Sequence, residues 1–116
     1  MKLLAYEVDK RSFLGVLNED ETWVYPVSAA GMEYRSMKDL IREAGPSEME
    51  MLDYISKKAP GDVMGAAPVD EIRVVSPIAE PDQDIICLGI NYMDHAEESA
   101  RFEKRAFEKP EKAIYF

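Results

Sequence analysis

The feature that most constrains this chain is a set of three short apolar segments near the N-terminus, each followed or preceded by a tight polar stretch. Lys2 to Val8 alternates, with Leu4, Tyr6 and Val8 on one face. Asp9-Lys10-Arg11-Ser12 is polar turn material, and Phe13 to Leu17 is a second apolar run. Asn18-Glu19-Asp20-Glu21 makes another turn before Thr22-Trp23-Val24-Tyr25. Period-two alternation with connections this short predicts an antiparallel meander of three strands. Trp23, Tyr25 and Tyr34 could form a ligand platform, but aromatics in the strands of a small domain serve its core or rim, and no chemistry is assigned to them.

The period then changes. Ser36 is placed to cap a helix in which Met37, Leu40, Ile41 and Ala44 fall at i, i+3, i+4 and i+7, with Gly45 placed to end it. Ser47-Glu48-Met49-Glu50 has the form of a capping box, and Met51, Leu52, Ile55 and Ala59 are expected to line one face of a second helix. Lys57 and Lys58 suit its C-terminal dipole, and Pro60-Gly61 closes it. At helical spacing the methionines are expected to fill a core. Gly61 to Pro68, rich in Gly, Ala and Pro, is expected to be a linker, with a strand over Val69 to Ser76. Pro77-Ile78-Ala79-Glu80-Pro81 should then run extended, because each proline biases the residue before it away from helix.

That connection delivers the chain to Ile85-Ile86-Cys87-Leu88, an apolar run expected to be a buried strand. Gly89 marks a turn of the backbone, and Asn91 a cap for a helix that begins near Tyr92. On that helix His95 and Glu98, three apart, share a face. His95 is the only histidine. A carboxylate beside an imidazole fixes its tautomer and stabilises its protonated form, so the pair is a candidate acid-base dyad. Spacing alone favours a plain surface pair, which is common on helices at this separation. Cys87, the single cysteine, is expected to be a small buried core residue. Asp82-Gln83-Asp84 could share a cation, but lying between a proline and a strand they are expected to be solvated loop acids. Asp94, Glu97 and Glu108 are treated alike. The stretch from Ser99 to Pro110 is mixed in charge, with Phe102 and Phe107 its only apolar anchors, and is expected to be frayed helix and loop.

Composition excludes some function classes. With 14 basic against 23 acidic residues and a net charge of -9, the chain lacks the basic footprint that nucleic acids and anionic membranes require. Met1-Lys2-Leu3-Leu4-Ala5-Tyr6-Glu7 meets an acid too soon for a signal peptide, and no apolar run approaches the roughly 20 residues that span a bilayer. A cytoplasmic protein is the expectation. A glycine-rich phosphate loop, a Cys/His cluster and a nucleophile elbow are all absent from the sequence.

Strand, Gly89, Asn91-Tyr92, His95-x-x-Glu98, then Ala113-Ile114-Tyr115-Phe116 after a charged, proline-marked segment: this frame resembles the start of the catalytic domain of the fumarylacetoacetate hydrolase family. The resemblance is specific over Ile85 to Phe116 and looser over Pro77 to Asp84. It implies that His95 and Glu98 are the catalytic dyad. It also implies a divalent metal, magnesium or manganese, held by acidic residues for which no matching position exists in this sequence. Small 2-oxo acids such as acylpyruvates would be the substrates, with carbon-carbon bond hydrolysis, isomerisation or decarboxylation as the chemistry. A homodimer is the implied assembly, and the segment after Glu98 would cover the active site. The expected fold is therefore α+β: an N-terminal meander with two helices over residues 1–68, similar in layout to the N-terminal module of bacterial members. Residues 69–116 would form the first strands and dyad helix of a mixed β-roll catalytic domain, incomplete and inactive alone. The alternative from another class is a noncatalytic binding or assembly module completed by another chain.

Overall fold

A computed structural model describes residues 1–89 together with 114 and 115. The chain divides into two compact units, Met1–Glu80 and Pro81–Phe116. The fold is mixed α+β, with a five-stranded antiparallel sheet and two helices in the first unit.

The first unit begins with the expected meander. Strands β1 (Leu3–Val8), β2 (Arg11–Leu17) and β3 (Trp23–Pro26) pair antiparallel in sequence order. The first turn is tighter than the four polar residues suggested. Val8 pairs with Arg11, so only Asp9 and Lys10 form the loop, both with positive φ (48° and 65°). Two such residues give the primed turn whose twist matches that of the strands, and Arg11 and Ser12 are thereby drawn into β2. The second turn is built on Asn18. Its buried amide oxygen accepts from the N–H groups of Thr22 (3.0 Å) and Trp23 (2.9 Å), while its nitrogen donates to Asp20 Oδ1 at 2.5 Å. A polar side chain can be buried there because its hydrogen-bonding groups are met.

Helix α1 (Met37–Glu43) starts where expected, with Ser36 Oγ accepting from the Asp39 N–H at 3.2 Å. Its end differs. Ala44 closes it in an extended conformation, and Gly45 is the cap of the next helix, α2 (Pro46–Ser56). Pro46 explains the exchange, since a proline drives the residue before it out of the helical region. The reciprocal half of a capping box is present two positions earlier than the sequence form implied, with Glu48 Oε2 accepting from the Gly45 N–H at 3.1 Å.

The buried faces are narrower than the periodicity predicted. On α1, Met37 and Leu40 are buried, whereas Ile41 is 61% exposed. On α2, Leu52, Ile55 and Ser56 are buried and Met49 packs beside them. Met51 and Ala59, both assigned to that face, are exposed. The arc is centred on positions 49, 52 and 56, and Ser56 is accommodated because its hydroxyl donates to the Asp53 carbonyl at 2.6 Å. Methionine use is mixed: Met37 is core, while Met64 is 88% exposed.

Gly61–Pro68 is not a linker. Val63 is buried in the main core, Ala66 packs against it, and Ala67–Pro68 form β4, pairing with β3 at Trp23↔Pro68 and Val24↔Ala67. Gly65 supplies the positive φ (79°) that turns the chain under Pro26. The strand expected over Val69–Ser76 is shorter. Val69–Glu71 is a 3₁₀ turn, and only Arg73–Val75 form a strand, β5, which pairs with Ala5–Glu7 of β1. The strand expected to open the catalytic domain thus completes the N-terminal sheet, and the first compact unit runs past residues 68 and 69 to Glu80.

The sheet order β4-β3-β2-β1-β5 forces a curl. Laid flat, its outer strands would stand roughly 19 Å apart, at about 4.8 Å per interval. Only residues 69–72 join them, and three of those are a 3₁₀ turn. The sheet wraps so that its two edges approach, which gives it two apolar faces. The larger core holds Val16, Tyr25, Val27, Met37, Leu40, Leu52, Ile55 and Val63 beneath the helices. A smaller one, inside the curl, holds Leu4, Tyr6 and Val24 with Val8, Leu17, Ala67 and Ile72. The alternation of Leu4, Tyr6 and Val8 is real, and it faces the smaller core.

In the second unit β6 (Leu88–Gly89) pairs antiparallel with β7 (Ile114–Tyr115) at Leu88↔Tyr115 and Gly89↔Ile114. The strand is shorter than Ile85–Leu88, and Gly89 lies in it rather than at its turn. Ile85 and Ile86 are each 75% exposed and Cys87 is exposed, against the expectation of a buried strand and a buried thiol. No helix among the described residues is long and apolar enough to cross a membrane.

Candidate functional site

His95 and Glu98 lie outside the described residues, as do Asp94, Glu97 and Glu108. What is described is the frame on either side. Gly89 and Ile114 are cross-strand partners, with Cα atoms roughly 5 Å apart. The sequence expectation made both segments the first strands of an incomplete sheet. Here each has the other as a partner.

Among the described residues no group of three or more His, Cys, Asp and Glu side chains could hold a metal ion. Asp82, Gln83 and Asp84 are exposed, as expected of loop acids. Among the described residues Cys87 has no neighbouring cluster of ligands to join.

The aromatic residues divide by depth. Tyr25 is fully buried, and its hydroxyl donates to the Lys58 carbonyl at 2.6 Å, tying β3 to the end of α2. Burial raises its pKa above the usual tyrosine value, while the hydrogen bond with Asn18 works against that rise. Burial also pushes Tyr6 up to about 12. Neither phenol is poised to act as an acid or base near neutral pH. Trp23 and Tyr34 pack at the edge of the main core.

The exposed charged groups are tuned by local contacts. Glu48 is held below the usual carboxylate value by its own backbone N–H and then by the Ser47 hydroxyl, which donates at 2.9 Å. Lys57 is raised by its hydrogen bond and charge contact with Asp53, at 3.0 Å one helical turn away. Both contacts secure α2.

Sequence reasoning missed a pair of adjoining clefts in the first unit. One, of about 460 Å³, lies between β2 and the segments Pro26–Ser28 and Met32–Arg35. The other, of about 400 Å³, runs from β2 past Ser36–Lys38 to residues 75–80. They share Ser12, Phe13, Leu14, Tyr34 and Arg35. Phe13 is partly exposed, and its ring stacks on Tyr6 with centroids 5.5 Å apart. The only hint in the sequence was a second strand longer than the third.

No protein-family pattern matches this chain, and no curated protein is similar to it.

Proposed function

We propose that His95 and Glu98 form the acid-base dyad of a fumarylacetoacetate-hydrolase-type enzyme that acts on small 2-oxo acids, with hydrolysis of acylpyruvates as the reaction. The observation that carries this reading is the residue frame from Ile85 to Phe116: an apolar run, Gly89, Asn91-Tyr92, His95-x-x-Glu98 and a second strand segment. The pairing of Leu88–Gly89 with Ile114–Tyr115 supports it, because it makes those two segments partners on either side of the dyad.

The chemistry follows from proton bookkeeping. His95, oriented by Glu98, takes a proton from water as the water oxygen attacks the carbonyl distal to the 2-oxo acid. When the carbon-carbon bond breaks, its electron pair passes to the departing fragment as the enolate of pyruvate. That enolate takes a proton at carbon, and the other product leaves as a carboxylate. In such enzymes a divalent cation such as magnesium or manganese supplies charge neutralisation at the enolate. The described residues do not make a site for one, and no step is assigned to it.

The test is turnover of acetylpyruvate, with magnesium present, by the longest natural polypeptide that contains these residues. His95→Ala should lower the rate by about 100-fold to 10,000-fold, the usual worth of a general base. A variant within threefold of the parent would return the pair to the role of a surface ion pair. Glu98→Gln should lower the rate and move the pH at which His95 titrates in the rate profile. An unmoved profile would mean that the two side chains are not coupled.

A further inference from the structure

The cleft beside Phe13 has an apolar floor that the fold holds in place. Leu14, Val27, Met32 and Tyr34 line it, Val27 as a member of the main core and the other three packed against that core. The Phe13 ring is fixed by stacking on Tyr6, with centroids 5.5 Å apart. Residues 27–32 are tied by backbone hydrogen bonds, from the Gly31 N–H to the Ser28 carbonyl at 3.0 Å and from the Met32 N–H to the Val27 carbonyl at 3.4 Å. Gly31 supplies the positive φ (76°) that lets the chain turn there. A floor of this kind receives a side chain without rearrangement, and the cleft's volume of about 460 Å³ falls within the roughly 300–1,000 Å³ typical of ligand sites.

Two opposite charges border that floor. Glu33 and Arg35 both line the cleft and are exposed, and neither side chain has a hydrogen bond or ion pair among the described residues, with each other or with anything else. They are two apart in sequence, so their Cα atoms are at most about 7 Å from each other and both side chains can reach one small molecule. The pair decides which class of ligand suits the floor. An anion would meet Glu33 and the field of a chain of net charge -9, and a cation would meet Arg35. An uncharged apolar molecule would shield both charges from water and pair neither. A zwitterion with an apolar body pairs both and carries no net charge for the chain to repel.

We propose that this cleft binds a free α-amino acid with an aromatic side chain. The ligand's carboxylate pairs with the Arg35 guanidinium and its ammonium with the Glu33 carboxylate. Its ring lies on the floor beside Phe13, Val27 and Met32, where aromatic and sulfur contacts favour a ring over an aliphatic chain. The floor supplies most of the affinity, and the two charges supply the preference for a zwitterion. The site does not depend on the His95–Glu98 dyad.

Amide NMR spectra of the isotope-labelled chain, titrated with phenylalanine, phenylpropanoate, phenethylamine and glycine, test the proposal. Phenylalanine should shift the amides of Phe13, Met32 and Arg35 saturably. Phenylpropanoate, which lacks the ammonium, and phenethylamine, which lacks the carboxylate, should each bind about threefold more weakly, the usual scale of an exposed ion pair. Glycine, which lacks the ring, should give no saturable shift. Glu33→Gln should weaken phenylalanine by about threefold without weakening phenylpropanoate, and Arg35→Gln should weaken phenylalanine by about threefold without weakening phenethylamine. Four outcomes overturn it: no saturable shift with phenylalanine at its highest soluble concentration, either analogue binding as tightly as phenylalanine, glycine matching phenylalanine, or variants that leave the order of the ligands unchanged.

Discussion

The two compact units differ in how their strands are supported. In residues 1–80 the β1–β2 ladder runs through six paired positions and is covered on both faces, by the helices on one side and by the curl of the sheet on the other. In the second unit the described ladder is two pairs long, and the residues leading into it, Ile85, Ile86 and Cys87, are exposed. A two-stranded ribbon alone is marginal in water, whereas three or more strands with a covered face are stable. Apolar sequence makes a strand possible. A second layer makes it stay.

The sharpest way to test that contrast is to delete matched apolar volume from each unit. Leu52→Ala, at a fully buried position in the main core, should cost about 3 kcal/mol by the usual cost of an unfilled leucine cavity. Ile86→Ala, at 75% exposure, should stay within about 0.5 kcal/mol. Urea melts followed by tryptophan fluorescence report on the first unit through Trp23, the only tryptophan. Equal losses for the two variants would break the comparison, because Ile86 would then be part of the core that Trp23 senses.

A smaller effect probes the curl itself. A Cβ on Gly15 would lie 2.7 Å from Val24 Cγ2, 2.8 Å from the Tyr25 carbonyl oxygen and 2.8 Å from Tyr6 Cε1. A backbone oxygen cannot swing aside, so Gly15→Ala should destabilise the first unit by about 2 kcal/mol, the usual scale of overpacking. An unchanged urea midpoint would mean that β2 and β3 can separate at that point without loss.

A further effect, confined to alkaline solution, is a pH dependence. Tyr6 in the folded chain holds its proton up to about 12, above the ordinary value of 10.0, because burial penalises the phenolate. The unfolded chain ionises first, so folding stability should be unaffected by this group below pH 10 and fall as pH climbs from about 10 to about 12. Tyr6→Phe removes the group, and its alkaline loss of stability should be shallower than that of the parent. Identical slopes would place the ionisation elsewhere, with Tyr25 as the next candidate because burial raises it in the same direction.

Much of the first unit was legible because its signals are local. The alternation of β1, the Ser36 cap and the helical spacing of Leu40, Leu52 and Ile55 each depend on residues within a few positions of one another. The errors arose where distant residues decided the outcome. Ile41 and Met51 satisfy a helical period yet fall outside the arc that the sheet covers. Gly61–Pro68 has a linker's composition, and its place in the fold comes from Val63 entering the core and Ala67 meeting Val24. For the candidate sites the division is the same. The His95–Glu98 spacing can be read from the chain, because it needs only one helical turn.

The cleft beside β2 could not be read that way. It exists because β2 extends beyond the end of β3, a matter of register between strands that no residue of either strand specifies alone. The sequence by itself determined the three-strand meander, the Ser36 cap that starts α1, and that a histidine and a glutamate stand three apart. Tertiary structure alone decided that the sheet curls into two cores and which apolar residues are covered. It also decided that Ser12, Phe13 and Leu14 come to line a cleft. The physical reason is range: periodicity and capping act between neighbours in the chain, while register, closure and burial are settled by pairs far apart in sequence.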